Sequence, residues 1–358
     1  MRYDAHSLEQ YAHDLLAAAG VRDDIARTTA AILVEGDLLG HTTHGLALLP
    51  GYLKDLDAGG MAKDGEPRLL NGRPASQAWD GQRLPGPWLT VRALDSAMAM
   101  AETYGTGTVV VRRSHHIACL AAYLTRATER GYVALVLSSD PFGASVAPHN
   151  AVSPVFTPNP IAAGIPTGSD PILLDISASY TTNGLTGRLY QAGERLPHAW
   201  VQDADGRATD DPAVLFGERR GTLLPLGGHE AGHKGFGLAL LVEALTGGLA
   251  GYGRADTVEG WGATVFVQVL DPAAFGGDAD FTRQVDWLAD ACRTAIPRPG
   301  TEGPRLPGAR GAALAREQRR DGVHLHASIL PALMPWSERY GVTPPGGAPG
   351  RRREPCAD

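Results

Sequence analysis

Residues 223–241, LLPLGGHEAGHKGFGLALL, carry two kinds of chemistry in one short stretch. His229, Glu230 and His233 satisfy the pattern H-E-x-x-H, which on a continuous helix presents two imidazoles to a zinc ion and a glutamate to its bound water. Lys234 follows among glycines and precedes an apolar helix, an arrangement that offers backbone N–H groups and a positive charge to a phosphate. The stretch is therefore consistent with a zinc hydrolase, with a nucleotide-binding protein, or with a glycine-rich turn that only packs a helix on a sheet.

The glycines of this stretch weigh against the zinc site. They stand at positions 227, 228, 232, 235 and 237, and each glycine inside a helix costs about 1 kcal/mol relative to alanine. No third zinc ligand is evident downstream in the sequence. The nucleotide interpretation instead uses the glycines and places the helix start near Gly235. The lysine is not followed by the Ser or Thr of a Walker A loop, however, and no G-x-G-x-x-G follows a strand.

A second stretch, VVVRRSHHIACLAAYL, indicates a strand that turns into a helix capped by Ser114. His115 and His116 would then lie in the first helical turn, where the helix dipole disfavours imidazolium and lowers the pKa of a histidine. A neutral imidazole in that place suits proton transfer at neutral pH. For either histidine alone, a hydrogen bond that only holds the turn is an equally good explanation.

The third stretch is GDLLGHTTHGLALLPGYL, where His41 and His44 flank a loop that also carries the hydroxyls of Thr42 and Thr43. The pattern H-x-x-H is weak evidence for a metal, because capping and core histidines are common. From the residues alone, nothing brings the three histidine-bearing turns together in space.

The elements that must position these residues alternate between helix and strand. Ser7 and Gln10 indicate a capping box for a first helix that ends at Gly20, and a second helix follows through residues 23–40. Residues 57–76 are rich in glycine and proline and predict a boundary between elements. Strands are expected in GTVVVRR, YVALVLSSD, DPILLDIS and ATVFVQVLD, and helices in WLTVRALDSAMAMAETYG, FTRQVDWLADACRTA and GARGAALAREQRRDG. The pattern predicts an α/β protein.

The composition excludes several classes of protein. The chain has 358 residues and a formal net charge of -7, which gives no electrostatic reason to expect a nucleic acid or a membrane surface as partner. The N-terminus shows no apolar signal segment, and the apolar runs are too short to cross a bilayer. An odd, widely spaced set of cysteines (Cys119, Cys292 and Cys356) argues against a disulfide framework and fits a reducing cytoplasm.

Taken together and in this order, five motifs resemble the type-2 malate/L-lactate dehydrogenase family, over residues 8–322. GHTTHGLALLPGYL is similar to the family's GH-x-SHG-x-x-R-x-P-x-Y, and VRRSHHIA to V-x-NS-x-HFG. FTPNPIAAGIPTG is similar to GTNPIAFG-x-P, LLDISAS to LDMATS, and LLPLGGHEAGHKGFGLALLVEALTGGLAG to LLP-x-GG-x-KGYGLALMVELLSG-x-LSG. The family includes ureidoglycolate, sulfolactate and diketogulonate oxidoreductases and reductases of piperideine and pyrroline carboxylates.

The resemblance implies a fold and a site. It implies a non-Rossmann α/β fold with a mixed, mostly antiparallel sheet in the cofactor domain and a helical domain built from both termini. It makes His116 the proton donor or acceptor and His44 a catalytic histidine that contacts substrate. Substrate-contacting positions would be Thr43, Leu48, Thr157 and Asn159. Cofactor-contacting positions would be Ser139, Asp175, Ile176, Ser177, Lys234 and Gly235, with no metal.

The resemblance also divides the chain. It places the N-terminal helical domain at residues 1–65, joined by C-terminal helices at 290–342. A connecting segment at 66–125 carries the catalytic histidine, an NAD(P)-binding domain spans 126–289, and the tail at 343–358 is expected to be disordered.

Departures from the family motifs fall in the expected substrate pocket. The arginine of SHG-x-x-R is Leu48 here, the glycine after HF is Ala118, and Thr157 stands where a glycine is usual. His149 and Asn150 replace a usual glycine pair. The loss of the arginine puts a simple carboxylate substrate in doubt, unless another cation such as Arg113 has become the anchor.

These observations predict a cytoplasmic, homodimeric oxidoreductase that uses NAD or NADP. It would transfer hydride to a C=O or C=N carbon of a small metabolite, such as a specialised ketone or a cyclic imine. Two alternatives remain: a zinc hydrolase that uses HEAGH at residues 229–233, and a family relative that binds NAD(P) without turnover.

Overall fold

A seven-stranded mixed sheet forms the centre of the protein, for which a computed structural model describes residues 1–258 and 260–347. Its strands are β1 (Arg68–Arg73), β2 (Ser76–Asp80), β3 (Thr106–Ser114), β4 (Val133–Ser139), β5 (Pro160–Ile165), β6 (Ile172–Ser177) and β10 (Ala263–Leu270). They lie in the order β1-β2-β3-β10-β4-β5-β6. Only β2 and β3 pair in parallel, and the other neighbours are antiparallel. The predicted mixed, mostly antiparallel sheet is confirmed.

Strand β10 is apolar on both of its faces, because the sheet is covered on both sides at this point. Val265, Val267 and Val269 point into the main core, whereas Phe266 points to the other face, where it packs near Val110. Such alternation follows from the two-residue period of a strand. A near-continuous apolar run is therefore expected for a strand buried on both sides.

Helices from both ends of the chain pack together on one side of this sheet. They are α1 (Ala5–Ala18), α2 (Asp23–Leu38), α3 (Leu49–Asp57), α4 (Gly86–Tyr104), α5 (Ala121–Thr128), α9 (Ala309–Asp321) and α10 (Ile329–Tyr340). Helix α9 packs on α2, and α10 packs on α1 and α3. One continuous core extends from these helices through α4 to β3 and β10. The domain boundaries expected from the resemblance stay a prediction.

The remaining elements lie beside the far strands of the sheet. They are α6 (Asn183–Ala192), α7 (Gly228–Glu243), α8 (Asp278–Arg293) and a small sheet of β7 (Val201–Gln202), β8 (Ala208–Thr209) and β9 (Thr222–Leu223). Helix α7 continues into a π-helical turn, Ala244–Gly248. Among the described residues, no helix combines the length and the apolar character that a membrane span needs.

The strands and late helices predicted from sequence are confirmed, but three local predictions outside the segment from β3 to α5 were wrong. Helix α1 is capped by Asp4, whose Oδ2 accepts the Ser7 N–H at 2.8 Å, so Ser7 is not the cap. Residues 57–76, predicted to be only a boundary between elements, contain strand β1. This strand is exposed along its whole length, so its sequence shows no alternation of buried and exposed residues. Helix α7 begins at Gly228 and not near Gly235. The tail expected at 343–358 falls outside the described residues from 348 onward.

Gln318 ties the C-terminal helices to the end of α2. Its Nε2 donates to the carbonyls of Asp37 and Leu38, both at 3.0 Å, and its Oε1 accepts the His324 N–H at 2.6 Å. The last carbonyls of a helix have no partner within the helix. The buried Gln318 amide supplies a partner for the Leu38 carbonyl from a segment 280 residues away, and a second partner for the Asp37 carbonyl, which also accepts the Gly40 N–H.

We expect Gln318→Ala to lower the free energy of unfolding by about 2–3 kcal/mol, because buried backbone groups lose their partners. Urea unfolding followed by circular dichroism measures this change. Gln284→Ala, an exposed glutamine on α8, is the matched control and should change stability by no more than about 0.5 kcal/mol. Equal effects of the two substitutions would contradict the role given to Gln318.

Candidate active site

A cavity of about 550 Å³ lies where seven segments of the chain meet. They are the loop between α2 and α3, the residues after β3, the end of β4, the residues before β5, the end of β6, the start of α6 and the residues before β10. The sequence motifs that resemble family motifs supply four of these seven segments.

Most of the predicted site residues are brought together in this cavity. Its wall includes Thr43, His44, Leu48, His116, Thr157, Asn159, Asp175 and Ser177. Four predicted cofactor positions are not part of that wall: Ser139, Ile176, Lys234 and Gly235. All of the predicted substrate and proton-transfer residues therefore line the cavity. Of the predicted cofactor residues, only Asp175 and Ser177 line it.

His116 lies in an irregular segment between β3 and α5, so its predicted place in a helical turn was wrong. Helix α5 begins only at Ala121. Ser114 does not cap it, because the Ser114 hydroxyl donates to the His115 carbonyl at 2.7 Å. The pKa of His116 is nevertheless lowered well below its usual range, first by burial and then by the neighbouring His44 and His115. Neutral imidazole follows from desolvation and not from a helix dipole.

Two groups meet the Nδ1 atom of His116. The backbone N–H of Ala118 donates to Nδ1 at 3.1 Å. The Tyr52 hydroxyl oxygen lies 3.2 Å from Nδ1, and the Tyr52 hydroxyl donates its own proton to the His116 carbonyl at 2.9 Å. An unprotonated Nδ1 therefore accepts the Ala118 N–H, whereas a protonated Nδ1 can donate to the Tyr52 hydroxyl oxygen. Trp261 packs against the same ring, with centroids 4.6 Å apart.

His44 lies beside His116 in the cavity wall. The two rings are stacked with centroids 6.0 Å apart, and the Thr43 hydroxyl lies 2.9 Å from His44 Nδ1. Burial lowers the pKa of His44 to about 4, with further contributions from the positive charges of His41 and Arg188. Both histidines are therefore neutral at pH 7.

Asp37, near the end of α2, holds the loop that carries His44. Its buried Oδ2 accepts the Leu46 N–H at 2.7 Å. A Cβ at Gly45 would stand 2.4 Å from the Asp37 carboxylate, so only glycine allows the loop to approach so closely. Burial raises the pKa of Asp37 to about 7. Arg188 of α6 braces the same loop by donating to the Thr42 carbonyl at 2.7 Å.

Glu243, at the end of α7, organises the opposite wall. Its Oε1 accepts from Asn159 Nδ2 at 2.8 Å, from the Ser139 hydroxyl at 2.7 Å and from Arg254 Nε at 2.8 Å. Asn159 Oδ1 also accepts from the Thr157 hydroxyl at 2.9 Å. The side chains of Asn159 and Ser139 are thus bonded within the protein, and they position the wall behind the cavity.

No arginine or lysine of the described chain lines the cavity. Leu48 is part of the wall where the family motif has arginine. Arg113, the replacement anchor considered from sequence, donates from Nε to Asp80 at 2.9 Å and is not a cavity residue. The only basic side chains of the described wall are histidines, at positions 41, 44 and 116.

The H-E-x-x-H motif lies in α7, but its two histidines have separate partners. Ala231, between them, has non-helical backbone angles of φ -121° and ψ 15°. His229 Nε2 lies 3.0 Å from Gln202 Oε1, whereas His233 packs against His149 with ring centroids 5.8 Å apart. Among the described residues, the motif is not part of a three-residue metal-ligand group.

Lys234 and Gly235 also lie in α7, outside the cavity. Lys234 is exposed. Gly235 is buried where the helix packs on Leu226, whose carbonyl accepts the Gly235 N–H at 3.1 Å. Ile176 points away from the cavity and is 37% exposed.

Sequence reasoning missed three contributors to the site: Tyr52, Trp261 and Asp37. Tyr52 had a detectable signal, because it shares the buried face of α3 with Leu49 and Leu53 at helical spacing. Trp261 and Asp37 had none, since each acts through contacts that only the tertiary structure creates.

Comparison with known proteins decides the family. The malate/L-lactate dehydrogenase family model matches residues 3–334. The chain belongs to this family. An L-lactate dehydrogenase of Cupriavidus necator is 31% identical over 355 residues, which cover 96% of this chain and 99% of the relative. A (2R)-3-sulfolactate dehydrogenase (NADP(+)) of Chromohalobacter salexigens is 31% identical and covers 89% and 92% of the two chains.

A solved structure supports the same conclusion. The Δ1-piperideine-2-carboxylate reductase of Pseudomonas syringae pvar. tomato matches with a TM-score of 0.82 and 26% identity, over 94% of this chain and 99% of that one. As a member of the malate/L-lactate dehydrogenase family, the protein is an NAD(P)-dependent oxidoreductase.

The neutral histidines predict how stability depends on pH. His44 stays neutral when folded but takes up a proton on unfolding, so acid favours the unfolded state below the unfolded pKa near 6.5. Its contribution falls as the pH drops from 6.5 towards 4, by about 1–2 kcal/mol at pH 5. Asp37 acts in the opposite sense, because its raised pKa lets the folded state bind a proton below about pH 7.

We therefore expect His44→Gln to lose less stability than the parent protein between pH 7 and pH 5, as measured by urea unfolding at both values. His233→Gln, an exposed histidine, should retain the parent slope. An unchanged slope in His44→Gln would contradict a depressed pKa at this position.

Proposed function

We propose that this oxidoreductase reduces a C=O or C=N bond of a small metabolite, reversibly, with His116 as the group that moves the proton. The observation that carries the proposal is the pairing of two neutral histidines, His116 and His44, on one wall of the cavity. A neutral imidazole is the base form of a general acid–base group, and in the oxidation direction it can accept the proton that the substrate loses.

The contacts at Nδ1 support a proton exchange at the other nitrogen of His116. In the imidazolium form, Nδ1–H donates to the Tyr52 hydroxyl oxygen, which is free to accept because its own proton goes to the His116 carbonyl. Loss of the Nε2 proton to the substrate then leaves a neutral ring whose Nδ1–H bond is kept. Tyr52 supports this Nδ1–H tautomer, whose free Nε2 is the base of the reverse reaction, whereas the Ala118 N–H supports the tautomer that carries its proton on Nε2.

The cavity fits a nicotinamide cofactor in size and polarity. Its volume of about 550 Å³ is in the range of about 300–1,000 Å³ typical of ligand pockets. The N-terminus of α6 enters the wall with Thr182, Asn183 and Gly184, and such a terminus suits a phosphate. When bound, the nicotinamide exchanges hydride with the substrate carbon. We assign Asp175 and Ser177 to contact with this cofactor, NAD or NADP.

Lys234 and Gly235 belong to a cofactor segment in the resemblance, although α7 places them outside this cavity. We propose that a second copy of the chain covers this face and completes the site. Leu240 and Leu241 of α7 are 49% and 50% exposed, and Leu249 beyond it is 57% exposed. An apolar face of this kind favours a homodimer. Ser139 and Ile176 are cofactor positions only by resemblance. We also propose a cytoplasmic location.

Leu48 supports a substrate that presents a neutral or apolar group to this part of the wall. A carboxylate there would face hydrocarbon without a paired cation, which is costly. The Pseudomonas syringae relative is a Δ1-piperideine-2-carboxylate reductase. Because piperideine is a cyclic imine, this likeness favours C=N as one candidate bond. A bulky ketone is the other.

We expect His116→Gln to lower kcat by about 10²–10⁴-fold while the affinity for NADH or NADPH changes little, because the proton group is lost and the cavity is kept. Steady-state kinetics and quenching of nucleotide fluorescence measure the two quantities. His229→Gln, outside the cavity, is the control for losing a histidine. Parent protein that binds the nucleotide but turns over no ketone or imine would instead indicate a binding protein.

We expect Leu48→Arg to raise kcat/KM for pyruvate or oxaloacetate by at least about tenfold, since a paired guanidinium–carboxylate contact contributes about 1.5–3 kcal/mol. Leu48→Met keeps the volume without the charge and should show no such gain. Efficient reduction of these acids by the parent protein would mean that the carboxylate is held elsewhere.

A further inference from the structure

Three potential metal ligands of different chemistry meet at one side of the cavity. A ring nitrogen of His41, the sulfur of Cys119 and a carboxylate oxygen of Asp175 all lie within 4.8 Å of one another. They come from the α2–α3 loop, the segment before α5 and strand β6. No other such group of three is found among the residues that the structure describes.

The donor set matches one class of cation. Imidazole, thiolate and carboxylate are the ligands that bind zinc, at about 2.0–2.3 Å from the metal. Ligand atoms around one tetrahedral zinc therefore lie roughly 3.3–3.8 Å apart, so closing from the observed spacing needs only small side-chain movements. Three protein ligands also leave a fourth position open, here towards the cavity that all three residues line.

Backbone hydrogen bonds hold the Asp175 carboxylate and the loop that carries His41. The Asp175 Oδ2 atom accepts the Ala121 N–H at 2.9 Å at the start of α5, and the His41 N–H donates to the Gly36 carbonyl at 2.8 Å. Cys119 is 2% exposed, and its thiol is directed at Asp175 Oδ2 with a separation of 3.8 Å. The thiol, imidazole and carboxylate are thus arranged before any ion arrives.

We propose that a zinc-class divalent cation binds between His41, Cys119 and Asp175. The S–H bond of Cys119 breaks, its proton leaves to solvent and a sulfur–metal bond forms. Because each bound ion displaces a proton, metal affinity rises with pH.

The position of the site makes the ion an inhibitor of the reaction proposed above, and this consequence rests on that proposed function. The Asp175 carboxylate cannot contact the cofactor while it binds the ion. The open coordination position of the metal also faces the same cavity. Zinc should therefore raise the apparent KM for the nucleotide, with activity restored by EDTA.

Cobalt(II) is the probe for the site itself, because thiolate-to-cobalt charge transfer gives an absorption band that needs no turnover. We expect one equivalent of cobalt to produce this band in the EDTA-treated protein, with affinity that increases from pH 6.5 to pH 8. The Cys292→Ser/Cys356→Ser variant, which keeps only Cys119, should give the same band. Cys119→Ser should lose it.

A second variant keeps the test valid if Cys119→Ser does not fold. His41→Gln retains the thiol, so it should weaken cobalt binding by at least about tenfold while circular dichroism stays that of the parent. His229→Gln should bind cobalt as the parent does. Absence of the band in the parent, its loss in the Cys292→Ser/Cys356→Ser variant, or its loss in His229→Gln would each overturn the site.

The two proposals fail separately. Cobalt binding through Cys119 without any oxidoreductase turnover would reject the proposed reaction and keep the metal site. Turnover without the charge-transfer band would keep the reaction and reject the metal site.

Discussion

The buried carboxylate of Asp37 is the contact on which the cavity depends. It accepts a backbone N–H from Leu46 and lies directly against Gly45, so it determines the path of the loop that leaves α2. That loop delivers His41, His44 and Leu48 to the wall. A buried acceptor with few partners is costly in itself. The Leu46 N–H offsets part of this cost at Oδ2, whereas Oδ1 has no hydrogen-bond partner among the described residues.

The surroundings of Asp37 extend this constraint across the molecule. Gln318 of α9 holds the last carbonyls of α2, including that of Asp37 itself. On the other side, Arg188 of α6 binds the Thr42 carbonyl and hydroxyl. Helices from the two ends and the middle of the chain therefore converge on one loop. Because these tertiary contacts hold the α2–α3 loop, the loop does not need large apolar side chains of its own and can carry small and polar residues.

The opposite wall uses the same principle with a different acceptor. Glu243 collects hydrogen bonds from Asn159, Ser139 and Arg254, which belong to three separate segments. Asn159 sustains a left-handed backbone at φ 46° inside this network. Such a conformation persists in a non-glycine residue only where the surroundings determine it. Substrate and cofactor would thus meet a wall that is already organised.

The sequence was sufficient for four of the seven strands of the central sheet and for much of the cavity, for identifiable reasons. Apolar runs such as the one in β10 mark strands directly, and His44, Leu48 and His116 stand in motifs whose order is specific. Local signals failed where competing contacts decide the backbone. Ser114 bonds the neighbouring carbonyl, and Ala118 takes a left-handed φ of 60°, so the helix predicted from residue 114 begins at Ala121. Tyr52 and Trp261 reach His116 over long separations that no local pattern encodes.

The place of β10 in the sheet has a consequence for how the chain is made. This strand is among the last to be synthesised, yet it lies between β3 and β4 and pairs with both. Until residue 270 has left the ribosome, β3 and β4 each present an unpaired apolar edge with nothing between them. Such edges are templates for association with other chains. Native pairing also waits for contacts more than 120 residues apart, such as Thr264 with Ser139, so folding is delayed by loop closure. The nascent chain therefore depends on rapid completion, or on a chaperone that covers both edges, to avoid aggregation before its central strand arrives.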